Sequence, residues 1–499
     1  MTMNYRLAMA IPCLMVGLQA CTGRECANAR PQDVVQCHMD KVRQAPLEAE
    51  LLEQASEPGY ALRRLQMVSQ VWEPAPVLEP RRWVHNVELH IPDNAVPGKA
   101  LLVVNNGVRH GPAQVPDYAR EALREIALKA QMAVVMISDV PNQYVIFSDV
   151  DKPLREDDAV AHTWAHSLRG AAPELPLHVP MAAAASRAMD LAQQELAKQG
   201  LTVERFIITG ASKRGWSAWL TALADERVMA IVPSVIDIAD VSGMLSGLRK
   251  RYGGHWPLAL GAYQQAGVLQ QLGTPAFERL MMMMDPMQYL GEEGQRLAIP
   301  KYLVSASGDD FFAPDPVTDY QQRLPGVTSL RVLPNSDHGG VRKAVVSTLV
   351  PLVTRLRDGK PLPSVKVTAS GQAGQMLVDF SEPPVAVKVW TASNSRDRDF
   401  RYACGVRYLS ETLAPKQHFV LQRTAPATGW QAQFVEAKFA DGFIATSPVS
   451  VLPQSYPEHP PMDQGGLAAA SPRRSLQKLV RWGMPSSASS SRALANALR

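Results

Sequence analysis

Hydrophobic positions along this chain come in short blocks, and the blocks change character twice. Leu101-Leu-Val-Val104, Met132-Ala-Val-Val-Met-Ile137, Phe206-Ile-Ile208, Val228-Met-Ala-Ile-Val232, Tyr302-Leu-Val304 and Leu330-Arg-Val-Leu333 are apolar runs of strand length. Near-continuous apolar character is what strands buried on both faces require. Between them lie stretches suited to helices: Tyr118 to Lys129, the Ala-rich segment 180–198, Ser212 to Leu223 and Val341 to Arg357. Strands alternating with helices predict an α/β fold built on a mostly parallel, doubly wound sheet. The rhythm breaks over 240–296, which carries Tyr252-Gly-Gly-His-Trp256 and Met281-Met-Met-Met284. That segment reads as a helical cap insertion at the C-terminal edge of the sheet, with the methionines as cap core.

After Pro361-Leu-Pro363 the segments shorten and alternate, as in Val385-Ala-Val-Lys-Val-Trp390. Residues 364–453 therefore predict a small all-β, Ig-like sandwich. The α/β unit is expected over 61–360, after a polar, helix-prone leader at 21–60. The Pro-, Ser-, Ala- and Arg-rich stretch 454–499 is expected to be a disordered tail.

The first 20 residues change the picture of where the chain works. Arg6 precedes a mostly apolar stretch, Leu7 to Ala20, too short for a membrane span and suited to a signal peptide. It ends Leu18-Gln-Ala-Cys21, which looks like a lipobox. Residues 1–20 are thus expected to be a signal peptide and Cys21 a lipidation site. The protein would be exported as a lipoprotein on the periplasmic side, anchored to the outer membrane through Cys21. A plain signal cut near Ala20 would instead leave it soluble in the periplasm or secreted. Of the five cysteines, Cys13 would leave with the signal, Cys26 and Cys37 can pair, and Cys404 remains as a buried thiol. There is no CxxC and no ligand-spaced Cys/His cluster, so no metal is expected.

Composition excludes more than it assigns. With 499 residues, 46% hydrophobic and 20% charged, the chain is an ordinary globular protein. A net charge of +4 gives no reason to expect nucleic acid as a partner. No phosphate-binding loop and no G-x-G-x-x-G is present, so no nucleotide and no cofactor is expected.

The chemistry concentrates after three strands. Phe206-Ile-Ile-Thr-Gly-Ala-Ser212-Lys-Arg-Gly-Trp216 is a strand running into a glycine, a small residue and a serine, then a helix. Such a turn exposes a serine hydroxyl at a helix N-terminus, as either a nucleophile or a side-chain cap. The glycine lies three after the serine, at Gly215, giving G-x-S-x-x-G rather than G-x-S-x-G. Two later strands are followed by Gly308-Asp-Asp-Phe-Phe312 and Asn335-Ser-Asp-His338. The order Ser212, Asp309, His338 is that of an α/β-hydrolase triad: nucleophile, orienting acid, general base. Asp310 and Asp237 are alternative acids, with Asp315 also near in sequence. The oxyanion donors are expected to be the N–H of Lys213 and that of Gly107 or Val108. The side chains of Lys213 and Arg214 are candidates for holding an oxyanion or an anionic substrate, because a cation at a helix start opposes the helix dipole.

Landmarks along most of the chain resemble one family. They include Ser69-Gln-Val-Trp72, Trp83-Val-His85, Val140-Pro-Asn-Gln143, Glu156-Asp-Asp-Ala-Val-Ala-His-Thr-Trp164, Gly210 to Trp216, Tyr252-Gly-Gly-His-Trp256, Gly308 to Phe312 and Pro334-Asn-Ser-Asp-His338. Val389-Trp-Thr-Ala-Ser-Asn394 and Arg398-Asp-Phe-Arg401 continue the match. Together they are similar to the PhoPQ-activated pathogenicity-related proteins, a virulence-associated bacterial family with relatives in amoebae. The resemblance implies an α/β-hydrolase-like fold, an envelope or secreted location and Asp309 as the acid; it implies no substrate. The Asn-Asn-Gly at 105–107 departs from the family's Gly-Gly pair. The elbow is also similar in motif to that of glucuronoyl esterases. The reading is thus a serine hydrolase, either carboxylesterase or prolyl-type peptidase, acting on a small-molecule or peptide substrate. The alternative is a non-catalytic envelope or signalling protein, with the β-sandwich available to a protein partner.

Overall fold

The computed structural model describes residues 26–109, 114–372 and 374–461; the signal segment, Cys13 and Cys21 lie outside them. The chain opens with α1 (Val34–Arg43), β1 (Glu48–Glu57) and β2 (Tyr60–Val71). Then come β3 (Val77–Glu79), β4 (Arg82–Pro92), β5 (Gly98–Val104), α2 (Arg120–Ala130), β6 (Ala133–Ile137) and β7 (Ile146–Phe147). Next are α3 (Glu156–Ser167), α4 (His178–Ala197), β8 (Val203–Ala211), α5 (Lys213–Ala224) and β9 (Val228–Ser234). A helical stretch with α6 (Val241–Arg251), α7 (Gly261–Gln265) and α8 (Pro275–Met284) leads to β10 (Lys301–Ala306). After α9 (Val317–Tyr320), β11 (Thr328–Leu333) and α10 (Val345–Arg357) complete the unit.

Nine strands form one sheet in the order β1-β2-β4-β6-β5-β8-β9-β10-β11, while β3 and β7 make a separate ribbon. From β6 to β11 all neighbours are parallel; β1, β2 and β4 join antiparallel. The apolar runs explain the layering. In β5, Ala100, Leu102 and Val104 enter one core, with α4 and α5, while Leu101 and Val103 enter the other, with α2 and α10. In β8, Phe206 and Ile208 face the first core and Ile207 and Ala211 the second. The period of two thus places a fully apolar strand in two cores at once.

The segment expected to be a leader is part of this unit. Cys26 and Cys37 form a disulfide, α1 buries Val34, Val35 and Met39, and β1 pairs along β2 from Glu48↔Val68 to Glu57↔Tyr60. Glu48-Ala-Glu-Leu-Leu-Glu reads as helix by propensity, and nearly all of β1 is exposed. The ladder to β2 overrides that propensity, and the glutamates guard an open edge. Cys404 is partly exposed rather than buried. Three of the four cap methionines, Met281, Met283 and Met284, are core. Among the described residues no helix is long and apolar enough to cross a membrane.

The C-terminal part holds β12 (Val365–Ala369), β13 (Gln375–Phe380), β14 (Ala386–Asn394), β15 (Leu409–Leu413), β16 (His418–Gln422), β17 (Trp430–Lys438), β18 (Ile444–Thr446) and β19 (Ser450–Leu452). They form a sheet β12-β13-β16 and a sheet β15-β14-β17-β18 with β19 on β17. Val378 and Phe380 of one sheet share a core with Val387, Val389 and Val435 of the other, continuous with α10. The unit grips the edge of the main sheet, where Thr446 Oγ1 accepts from the N–H of Val332 at 3.1 Å. Residues 454–461, expected to belong to a disordered tail, pack instead on the cap side. The guanidinium groups of Arg251 and Arg398 lie over the Tyr456 ring, 5.8 and 5.2 Å from its centre. The rest of that tail, 462–499, lies outside the described residues.

Phe206 is fully buried in the strand that leads to Ser212. Phe206→Ala should cost about 3–5 kcal/mol, read as a lower urea midpoint with an unchanged slope.

Candidate active site

β8 delivers Gly210, Ala211 and Ser212 to the C-terminal edge of the sheet, and α5 begins at Lys213. Ser212 sits at the N-cap position with φ 56° and ψ −130°, yet its side chain makes no capping hydrogen bond. A non-glycine residue at such φ is strained and persists only where its surroundings impose it. Here they do. The Ser212 N–H donates to the Ser234 carbonyl at 2.8 Å and its carbonyl accepts from Trp216 N at 3.1 Å. A Cβ on Gly210 would lie 2.6 Å from the Arg214 backbone, and one on Gly215 would lie 2.8 Å from the Gly210 carbonyl. The two glycines therefore face each other across the turn, which explains why the second can stand three places after the serine.

Asp309 follows β10 and His338 follows β11. His338 Nδ1 lies 3.0 Å from each Asp309 carboxylate oxygen. Asp309 is buried and also accepts from the N–H of Phe311 at 2.8 Å, which fixes the carboxylate. The Phe311 ring lies 4.5 Å from the imidazole, centre to centre. Burial alone would lower the His338 pKa, but the Asp309 carboxylate outweighs it and the net shift is upward. The other acids are elsewhere engaged. Burial, with Asp309 beside it, pushes Asp310 up to about 6 without a bond to the imidazole. Burial pushes Asp237 up to about 7, and among the described residues it makes no bond to the imidazole. Asp315 bridges Arg251 at 3.0 Å and Arg398 at 2.6 Å. Among the described residues no hydrogen bond joins the Ser212 hydroxyl to His338, a contact that often tightens only once substrate is bound.

The C-terminal unit supports both loops. Tyr402 N donates to the Gly308 carbonyl at 3.0 Å, and a Cβ on Gly308 would come within 2.5 Å of that nitrogen. Asn335 exchanges two bonds with the Tyr408 backbone, at 2.7 and 2.9 Å.

Lys213 and Arg214, expected to face an oxyanion or anionic substrate, are instead closed into an ion-pair network. Lys213 Nζ donates to Glu156 Oε2 at 2.7 Å and to Asp157 at 3.4 Å. Arg214 donates to Glu156 Oε1 and to the Val140 carbonyl, each at 2.6 Å. Burial disfavours the charged carboxylate of Glu156, but the two cations prevail and hold it well below the usual range. Glu156 begins the landmark that runs to Trp164, to which the sequence attaches no role; the acidic run Glu156-Asp-Asp158 at a helix start is the available signal. Glu156 extends the network further. Its Oε1 accepts from Gln143 Nε2 at 2.9 Å, and the same amide donates to the Gly107 carbonyl at 2.8 Å. Gly107 packs so closely that a Cβ would lie 2.3 Å from Asp139 Oδ1. The backbone N–H groups of Lys213, Gly107 and Val108 have no acceptor among the described residues.

Ser212 opens on a cavity of ≈ 60 Å³ under the helical insertion, walled by Trp216, Ile236, Met244, Leu260 and Phe311. Among the described residues the group able to hold a metal is Asp149, His162 and His166, none of which lines this cavity.

The sequence model of a family described as "PhoPQ-activated pathogenicity-related protein" matches residues 35–401. The chain is 29% identical over 433 residues to "Autocrine proliferation repressor protein A" of Dictyostelium discoideum, covering 80% of this chain and 86% of that protein. Among solved structures it is similar to an acetyl xylan esterase from Paenibacillus sp. R4 (14% identity, TM-score 0.45, 66% of this chain and 94% of that one). It is also similar to a glucuronoyl esterase from Solibacter usitatus (12% identity, TM-score 0.31, 68% and 83%). Likeness at this level says nothing of chemistry.

Removing the charge of Glu156 leaves two buried cations with only the more distant Asp157 and Asp117 to answer them. Glu156→Gln should cost about 3–5 kcal/mol in urea unfolding. Because the folded-state pKa is depressed, Glu156 contributes stability above the unfolded carboxylate pKa, and loses it as pH falls through the folded value. The wild type should therefore lose stability on acidification more steeply than Glu156→Gln.

Proposed function

We propose that this chain, which belongs to the PhoPQ-activated pathogenicity-related protein family, is a serine hydrolase that cleaves esters of small apolar acyl groups. The observation that carries the reading is the Asp309–His338 pair at 3.0 Å, reached from strand ends beside the strained turn of Ser212. In this reading Ser212 Oγ attacks the ester carbonyl carbon while His338 Nε2 takes its proton. Asp309 keeps the proton on Nδ1 and stabilises the imidazolium. The oxyanion is met by the N–H of Lys213 and that of Gly107 or Val108. The carbon–oxygen bond then breaks, His338 protonates the leaving alkoxide, and water releases the acyl group by the reverse sequence.

Cavity size and lining support the substrate class. A volume of ≈ 60 Å³ is far below the roughly 300–1,000 Å³ of drug-sized sites, so it suits a short acyl chain better than a peptide side. With Lys213 paired to Glu156 and Asp157, and Arg214 to Glu156 and Asp117, neither offers an open charge to an anionic substrate. The Cys26–Cys37 disulfide supports export to an oxidising compartment, which is where anchoring through a lipid on Cys21 would operate. The name of the amoebal relative favours a second reading, an exported signalling protein in which the scaffold is retained without turnover.

Hydrolysis of p-nitrophenyl esters separates these. Wild type should turn over the acetate faster than the octanoate, and Ser212→Ala should lose that activity. Asp309→Asn should lower kcat by about 10⁴-fold. With His338 required neutral and its pKa raised, kcat/KM should climb with pH through a limb above the ordinary imidazole value. Asp309→Asn should move that limb to lower pH. Full activity in Ser212→Ala would overturn the reading.

A further inference from the structure

We infer that Asp149, His162 and His166 form a site for one divalent transition-metal ion of the zinc class. His162 and His166 stand four residues apart on α3, so both rings leave the same face of the helix. Asp149 comes from the loop just after β7. His162 Nε2 lies 3.1 Å from Asp149 Oδ1 and His166 Nε2 lies 2.7 Å from Asp149 Oδ2. All three ligand atoms fall within 4.8 Å of one another. Zinc–ligand bonds of about 2.0–2.2 Å place neighbouring donors on a tetrahedral ion about 3.3–3.5 Å apart. The two Asp149–histidine separations fall just short of that value and the histidine pair lies within 4.8 Å, so shifts of about an ångström would seat the ion.

The donor set selects the ion. Two imidazoles and one carboxylate suit zinc and its first-row neighbours and disfavour magnesium and calcium, which take oxygen. Three protein ligands leave one position to water. The supports are rigid. Phe147 is buried and its ring lies 4.4 Å from that of His162, and the N–H of Ser148 donates to the Pro76 carbonyl at 2.9 Å. The site is reachable, with side-chain exposures of 17% and 19% for the histidines and 41% for Asp149. Arg169 is a cation acting on His162, and the Asp149 charge opposes it. On binding, each Nε2 gives its lone pair to the ion and carries its proton on Nδ1, and the ion replaces the two Nε2–Asp149 hydrogen bonds. An ion here ties the connection after β7 to α3, the helix whose first residue is Glu156.

Equilibrium dialysis of the untagged chain against Zn²⁺, with metal analysis, tests this. One ion per chain is expected, with magnesium and calcium not competing. Co²⁺ loading should give the visible absorption of a tetrahedral N/O site. His166→Asn and Asp149→Asn should each weaken Zn²⁺ affinity at least tenfold, and circular dichroism should show both folded. If one variant fails to fold, the other and the Co²⁺ spectrum still decide. Wild type taking up less than one ion, or either folded variant keeping wild-type affinity, would show the cluster to be a hydrogen-bonded clip and overturn the proposal. None of these readouts depends on ester hydrolysis, so they stand apart from the role given to Ser212.

Discussion

The carboxylate of Glu156, held between Lys213 and Arg214, is the interaction on which the geometry of the site depends. Helix α5 starts with two cations, where the helix dipole and mutual repulsion both oppose them. Burying them without a counter-charge would be prohibitive. Glu156 bridges both cations, with Asp157 and Asp117 completing the charge balance, and through Gln143 it also holds the carbonyl of Gly107. One side chain therefore couples the turn of Ser212 to the loop expected to supply the second oxyanion donor. Basic residues next to the serine look at first like substrate-binding groups. In the folded chain they are structural struts.

A second set of constraints acts from the opposite side. The acid loop at Gly308 and the histidine loop at Asn335 are each bonded to the segment between β14 and β15. The β unit is thus part of the scaffold of the candidate site as well as a neighbour to it. Its apolar faces merge with the core under α10, so the two units share one continuous core rather than meeting as weakly docked domains.

Much of this was legible in the sequence, for physical reasons. Strands buried on both faces must be apolar throughout, so β5, β6, β8, β9, β10 and β11 announce themselves. The turn at Ser212 needs small neighbours, so Gly210 and Gly215 mark it. Placing Asp309 and His338 required only that each follow a strand. What stayed hidden depends on long-range pairing. The exposed, glutamate-rich β1 is a strand only because β2 lies beside it. Glu156 is 57 residues from Lys213, and nothing local shows that the two meet. The cluster of Asp149, His162 and His166 is hidden for a similar reason: it has no CxxC, and its one i, i+4 histidine pair is completed by an aspartate 13 residues away that only the fold brings near.

The central claim is that Ser212 is an activated nucleophile rather than the cap of an ordinary helix. Treating the full chain with a fluorophosphonate and mapping the adduct by peptide mass spectrometry tests it most directly. The account predicts one label per chain, on Ser212, strongly slowed in His338→Ala. An unlabelled Ser212, under conditions that label a known serine esterase, would contradict it.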